Sequence, residues 1–121
     1  MAQLNSFNSI DSKVIAAAAN EHGTPLYLYD EQVIIDKCKS VLSMPSAYGL
    51  TVRYAMKANS NKTILNIVSA QGLKIDASSM NEARRAFLAG IGYDGIILTT
   101  QELPLGDDLR ALKEMMRAGL K

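Results

Sequence analysis

Three short apolar runs between residues 50 and 100 predict the buried strands of a parallel sheet. The runs are LTVRYAM at 50–56, LKIDA at 73–77 and GIILTT at 95–100. A stretch with the apolar spacing of a helix follows each of them, which is typical of parallel strands covered on both faces. The centres of the runs, Tyr54, Ile75 and Ile97, are 21 and 22 residues apart. We therefore predict a β/α unit that occurs three times.

Apolar periodicity and end signals predict five helices. They cover about 11–22, 31–43, 60–71, 80–89 and 107–118. Asp30 and Ser79 are suited to cap the second and fourth helices, because their side chains can accept hydrogen bonds from free N–H groups of the first turn. Glu82, three residues after Ser79, completes the pattern of a capping box. In the first helix we expect Val14 and Ile15 to face the core.

The expected organisation is one domain that looks incomplete. Residues 1–45 would hold the leading helices and a strand PLYLYD at 25–30, and residues 46–121 would hold the three β/α units. Pro25 places the leading strand at its start or at a sheet edge. The regular spacing of the units predicts a fourth strand where the chain stops. A barrel of eight such units takes about 250 residues. We therefore expect a truncated or split part of a larger α/β protein.

The composition and charge of the chain argue against several classes of function. The chain has 121 residues, 48% of them hydrophobic, and a formal net charge of +1. This balance offers no basic face for nucleic acid, and no apolar stretch is long enough for a membrane span. Cys38 is the one cysteine, which excludes an internal disulfide, and its apolar surroundings predict a core position. Since residues 1–13 lack a signal-peptide pattern, we expect a cytoplasmic protein, and we predict no metal site.

A lysine at the end of the first strand is the main candidate for chemistry. Strand alternation places Arg53, Ala55 and Lys57 on one face, and ligands of α/β proteins bind at the carboxyl ends of the strands. A lysine partly removed from water holds its proton less tightly, and its neutral amine can form a Schiff base with a carbonyl. Asp76 ends the next strand, and the polar residues 99–102 end the third. A solvent-reaching Lys57 and a turn-forming Asp76 are the alternatives that the pattern leaves open.

Three segments of the chain resemble a known family. They are GTPLYLYD at 23–30, RYAMKANSN at 53–61 and DASSMNEARRAFLAG at 76–90. They are similar to the N-terminal part of the pyridoxal-phosphate-dependent decarboxylases with an alanine-racemase-like barrel, a group that acts on diaminopimelate, ornithine, arginine or carboxynorspermidine. The family motif Y-A-[VM]-K-[AC]-N is matched throughout from Tyr54 to Asn59. The first segment is most similar to the diaminopimelate decarboxylases.

The resemblance implies a fold, a cofactor and roles for four residues. The fold would be the N-terminal portion of a (β/α)8 TIM barrel that binds pyridoxal 5'-phosphate. Lys57 would hold this cofactor as the internal aldimine, and Ala55 would lie against it. Asp76 matches an aspartate near the aldimine. Glu82 matches a glutamate that approaches the site in some members, and its capping role remains the alternative.

The implied reaction is the decarboxylation of an amino acid, with meso-diaminopimelate, the precursor of lysine, as the first choice. Other parts of the family's site, including a stacking histidine, a phosphate-binding loop, a C-terminal β domain and a second subunit, are not in these 121 residues. The chain alone is therefore expected to be inactive, and to work as a homodimer or with the remainder of the barrel. The alternatives are the other decarboxylases of the group, a racemase of the same barrel class, and a non-catalytic or regulatory fragment that binds the cofactor.

Overall fold

The fold is seen in a computed structural model that describes residues 10–121. The helices are α1 (Ser12–His22), α2 (Glu31–Leu42), α3 (Lys62–Ala70), α4 (Met80–Leu88) and α5 (Gly106–Arg117), and the strands are β1 (Arg53–Ala55), β2 (Lys74–Ala77) and β3 (Ile96–Leu98). A short 3-10 helix, Tyr93–Gly95, leads into β3. The prediction that the chain has no signal peptide rests largely on residues 1–9, which lie outside the described residues.

The three strands form one parallel sheet in the order β1-β2-β3. This confirms the predicted α/β class and the β/α order along the chain. Arg53 pairs with Lys74 and Ile75 pairs with Ile96, so that both neighbouring strands are offset by 21 residues. Each strand is shorter than its apolar run, because only part of the run lies within the paired ladder.

The last residue of the chain extends this sheet. The backbone N–H of Lys121 donates to the carbonyl of Ile96 at 3.2 Å, and the N–H of Leu98 donates to the carbonyl of Lys121 at 2.8 Å. Two bonds of this kind around one residue are the pattern of parallel pairing. Strand pairing therefore begins again at the position where the sequence predicts a fourth strand.

The core lies between the sheet and the helices that cover it. Its largest fully buried side chains are Met56, Leu65, Ile75 and Ile96. The last two are opposite each other in the ladder and so share a face of the sheet. Cys38 is buried and forms no disulfide, as predicted, and burial raises the pKa of its thiol. Removal of these side chains from water is the main source of stability for the unit.

Two predictions for the first part of the chain are wrong. Segment 25–30 forms no strand, because none of the described strands lies beside it to complete a hydrogen-bonded ladder. Helix α1 has no buried residue, and the side chains of Val14 and Ile15 are 53% and 40% exposed. Periodicity predicts which side of a helix is apolar, but it does not determine what covers that side. Ile15 and Leu28 instead line an open apolar cavity of about 660 Å³.

Two further features of residues 10–121 bear on function. No helix in this range has the length and apolar character needed to cross a membrane. In the same range, no three His, Cys, Asp or Glu side chains gather into a group that could hold a metal ion. His22 lies at the end of α1, where its ring is 3.8 Å from the carboxylate of Glu21 and exposed to solvent.

Candidate functional site

Lys57 lies in the turn that connects β1 to α3. The backbone pairing of β1 continues to Met56, whose N–H donates to the carbonyl of Asp76 at 3.1 Å, and Ala58 then closes a turn on the carbonyl of Ala55 at 3.1 Å. Lys57 is thus just past the strand rather than its last residue, but it is at the carboxyl end of the sheet as predicted. Its side chain is exposed. The expected partial burial is not found, because no described segment covers it.

The residues around Lys57 explain why this turn has its sequence. The hydroxyl of Tyr54 donates to the carbonyl of Asn59 at 3.2 Å and joins the two ends of the turn. The side-chain oxygen of Asn59 accepts from the N–H of Asn61 at 2.9 Å, and that of Asn61 accepts from the N–H of Thr63 at 2.9 Å and caps α3. Asparagine is suited to both positions because its short side chain bonds the backbone two residues on. Lys57 is therefore held between Tyr54 and Asn59.

Replacing Tyr54 by phenylalanine should destabilise the chain and change its response to alkaline pH. Burial raises the pKa of the Tyr54 hydroxyl above its ordinary value of 10.0. The folded chain therefore disfavours the tyrosinate, and stability from Tyr54 is complete below about pH 10 and lost as the pH rises towards the raised value. The lost hydrogen bond should cost about 0.5–1.5 kcal/mol at neutral pH.

Urea unfolding of the wild type and of Tyr54→Phe, at neutral pH and above the ordinary tyrosine pKa, measures both effects. The difference in free energy of unfolding between the two proteins should shrink at the higher pH. Tyr48→Phe is the matched control, since Tyr48 is fully exposed at 101% and its replacement should leave the stability unchanged at both pH values. A difference that stays constant with pH would contradict the proposed burial of the hydroxyl.

Lys57 and Asp76 line one cleft at the carboxyl end of the sheet. The cleft has a volume of about 570 Å³, and its other lining residues are all polar: Ser78, Ser79, Thr99, Thr100, Gln101 and Glu102. Ala55 is paired with Asp76 across β1 and β2, which places Lys57, two residues after Ala55, at the mouth above this pair. Residues from the carboxyl ends of all three predicted strands therefore line one cleft.

The carboxylate of Asp76 is half-buried and hydrogen-bonded. Its Oδ1 atom accepts from the hydroxyl of Thr99 at 2.7 Å. The sequence pattern predicts a polar end for the third strand, but it does not predict this contact. An amine and a carboxylate in one cleft are groups that can attack a carbonyl and transfer a proton.

Glu82 lies behind the wall of the cleft. Its Oε2 atom accepts from the N–H of Ser78 at 2.7 Å, and its own N–H donates to the hydroxyl of Ser79 at 3.2 Å. The predicted capping box is thus present in a shifted form, because Glu82 reaches Ser78 rather than the capping residue Ser79. Its carboxylate is one hydrogen bond away from a residue that lines the cleft, and it is not itself part of the lining.

Comparison with known proteins identifies the family. Residues 32–116 match the family described as pyridoxal-dependent decarboxylase, pyridoxal binding domain. The diaminopimelate decarboxylase of Streptomyces coelicolor is 37% identical over 110 residues, which are 88% of this chain and 24% of that protein. The diaminopimelate decarboxylase of Methanothermobacter thermautotrophicus is 37% identical over 83 residues, 67% of this chain and 19% of that protein. The diaminopimelate decarboxylase of Escherichia coli K12 is 37% identical over 70 residues, 58% and 16% of the two chains.

These matches cover more than half of this chain but only a small part of each relative. The chain spans about a quarter or less of the length of these relatives. The matched family segment, in contrast, covers well over half of the chain and includes both Lys57 and Asp76. Pyridoxal phosphate is the cofactor of this family. The chain therefore belongs to the pyridoxal-dependent decarboxylases, and it carries a part of their pyridoxal-binding domain.

Proposed function

We propose that this chain is part of a carboxy-lyase that converts meso-diaminopimelate to lysine in lysine biosynthesis. The observation that carries the proposal is the placement of Lys57, within the motif of residues 54–59, in the same cleft as Asp76. The relatives support this choice of substrate, since the three described above all have the name diaminopimelate decarboxylase. Ornithine, arginine and carboxynorspermidine are the competing substrates that the experiment must separate.

The residues of the cleft fit one end of the cofactor. Lys57 offers an exposed primary amine in the cleft that Asp76 also lines, and a primary amine is the group that binds an aldehyde covalently. Lys57 is also the one cation among the described lining residues, so the proposed phosphate contacts come from groups outside this cleft. When bound, pyridoxal phosphate supplies an electron sink for the electron pair that remains when carbon dioxide leaves.

Each site residue has a part in the proposal. Lys57 binds the cofactor covalently, and Ala55, two residues earlier on the same strand face, leaves room beside it because its side chain is small. Asp76 supplies a proton acceptor in the same cleft as the amine of Lys57. Glu82 acts indirectly, since its bond to the N–H of Ser78 at 2.7 Å steadies the backbone of the cleft wall.

The proposal extends to the architecture of the whole protein. The three β/α units are the first part of a (β/α)8 TIM barrel, and the pairing of Lys121 with β3 supports a further strand at that edge of the sheet. The remainder of the barrel, a C-terminal β domain and a second subunit complete the site, and the enzyme is a cytoplasmic homodimer. The free thiol of Cys38 fits a reducing compartment.

A chimeric enzyme tests this function. Residues 1–121 replace the corresponding segment of the Streptomyces coelicolor relative, and release of carbon dioxide is measured with meso-diaminopimelate, ornithine, arginine and carboxynorspermidine. The chimera should act on diaminopimelate, and a chimera with Lys57→Ala should lose about a thousandfold or more of this activity. The purified 121-residue chain with pyridoxal phosphate should release no carbon dioxide, because it lacks the proposed remainder of the site.

The unmodified Streptomyces enzyme is the reference for substrate preference. Since the remainder of the protein is the same, any difference in the ratio of diaminopimelate to ornithine turnover comes from residues 1–121. A ratio within about tenfold of the reference supports the proposed substrate, and a clear shift towards ornithine or arginine replaces it. Turnover by the chain alone would contradict the need for the other parts.

A further inference from the structure

Thr99 is a cleft residue to which the proposed function gives no role. Its hydroxyl lies 2.7 Å from Oδ1 of Asp76 and 3.5 Å from the carbonyl oxygen of Ala77. A hydroxyl has one proton to donate. The shorter bond, to a charged acceptor, is the stronger of the two, so Thr99 donates to Asp76. Within residues 10–121, no other side chain or N–H group hydrogen-bonds the Asp76 carboxylate.

The sheet fixes Thr99 in this position. Asp76 is paired with Ile97 across β2 and β3, and Thr99 is two residues further along, so that all three lie on one face of the sheet. The N–H of Thr99 also donates to the carbonyl of Ala77 at 2.9 Å. The backbone of Thr99 is therefore tied to β2 by the same ladder that positions Asp76, and the relative placement of the two side chains is set by strand pairing.

The bond orients the carboxylate. The terminal torsion of an aspartate side chain has a broad energy profile, so an unpaired carboxylate on an open cleft rotates. Thr99 occupies Oδ1 and leaves Oδ2 as the oxygen that is free to accept a proton. We propose that Thr99 is a positioning residue that holds the Asp76 carboxylate in the orientation it needs to act with Lys57. This inference rests on the proposed roles of Lys57 and Asp76.

Three variants of neighbouring threonines separate this role from a structural one. Thr99→Val keeps the shape of the side chain and removes the hydroxyl, and Thr99→Ser restores the hydroxyl. Thr100→Val is the matched control, because the hydroxyl of Thr100 bonds the backbone of Glu102, at 3.1 and 3.2 Å, and not Asp76. Thermal unfolding of each variant establishes that it is folded before the site is tested.

The first measurement needs no cofactor. The ¹³C resonance of the Asp76 side-chain carboxyl is recorded by NMR at neutral pH in the purified chain. It should move in Thr99→Val and stay close to its wild-type position in Thr99→Ser and Thr100→Val. An unchanged resonance in Thr99→Val would overturn the inference, because it would show that the hydroxyl does not hold the carboxylate in solution.

The second measurement is the rate at which borohydride fixes pyridoxal phosphate on Lys57. Because the cleft is open to solvent, loss of this hydrogen bond should lower the rate about threefold to tenfold in Thr99→Val, with recovery in Thr99→Ser. Equal rates in wild type and Thr99→Val would refute the positioning role alone. No labelling of Lys57 even in the wild type would refute a cofactor-binding site on this chain by itself, and the positioning role with it, whereas the proposed function is decided separately by carbon dioxide release from the chimera.

Discussion

Replacing Lys57 by alanine should abolish the covalent fixation of pyridoxal phosphate to this chain. The cofactor's aldehyde reacts with a primary amine, and the proposal assigns that reaction to the Lys57 amine, which is exposed in the cleft that Asp76 also lines. Lys57→Arg should fail equally, because arginine keeps the positive charge but offers no such amine. The experiment incubates the chain with pyridoxal phosphate, reduces it with borohydride and maps the tryptic peptides.

The sequence around Lys57 makes the map decisive. Trypsin cleaves after Arg53, Lys57 and Lys62, and a modified lysine is not cleaved. Labelled wild type should therefore yield one peptide covering 54–62, whereas unlabelled chain yields 54–57 and 58–62. Lys62→Ala is the matched control, since Lys62 is an exposed lysine five residues away on α3. It should still be labelled at Lys57. Labelling spread evenly over several surface lysines would contradict a site on this chain.

The fold class was predictable because its signals are local. Buried parallel strands followed by helices have a recognisable apolar pattern, and the caps at Asp30 and Ser79 are set by residues within one turn. Whether residues 25–30 form a strand was not predictable in this way, because strand pairing depends on a neighbouring strand that the local sequence does not specify. The wrong prediction for α1 has the same cause. The apolar side chains of this helix indicate which face could be buried, but they do not identify the segment that would cover it.

The candidate site was also predictable only in part. Lys57 and Asp76 could be placed in one cleft from strand alternation alone, because parallel strands end at the same edge of a sheet. The contact between Thr99 and Asp76 could not be predicted, because it depends on the register of β2 and β3. A shift of this register by one residue would turn Thr99 to the other face of the sheet. The exposure of Lys57 was also not predictable, because burial depends on segments that are distant in sequence.

Ile75→Ala should be among the most destabilising single substitutions in this chain. Ile75 is the centre of the middle strand, is paired with Tyr54 and Ile96 on either side, and is fully buried at 0% exposure. Truncation leaves a cavity that the packed sheet and helices cannot fill, which costs about 2–5 kcal/mol. Urea unfolding should show a lower midpoint with an unchanged slope.

Ile97→Ala is the matched control for this prediction. Ile97 lies in the adjoining strand, but it is half-buried and is paired with Asp76, on the cleft face of the sheet. Its truncation should cost clearly less, and an equal cost would mean that the main core lies on the cleft side. Ile75→Ala should also keep the labelling of Lys57 while the chain is folded. Ile75 lies on the face of the sheet opposite the cleft, and the turn that holds Lys57 is also closed by the backbone bond from the N–H of Ala58 to the carbonyl of Ala55, so the amine should stay exposed in the cleft.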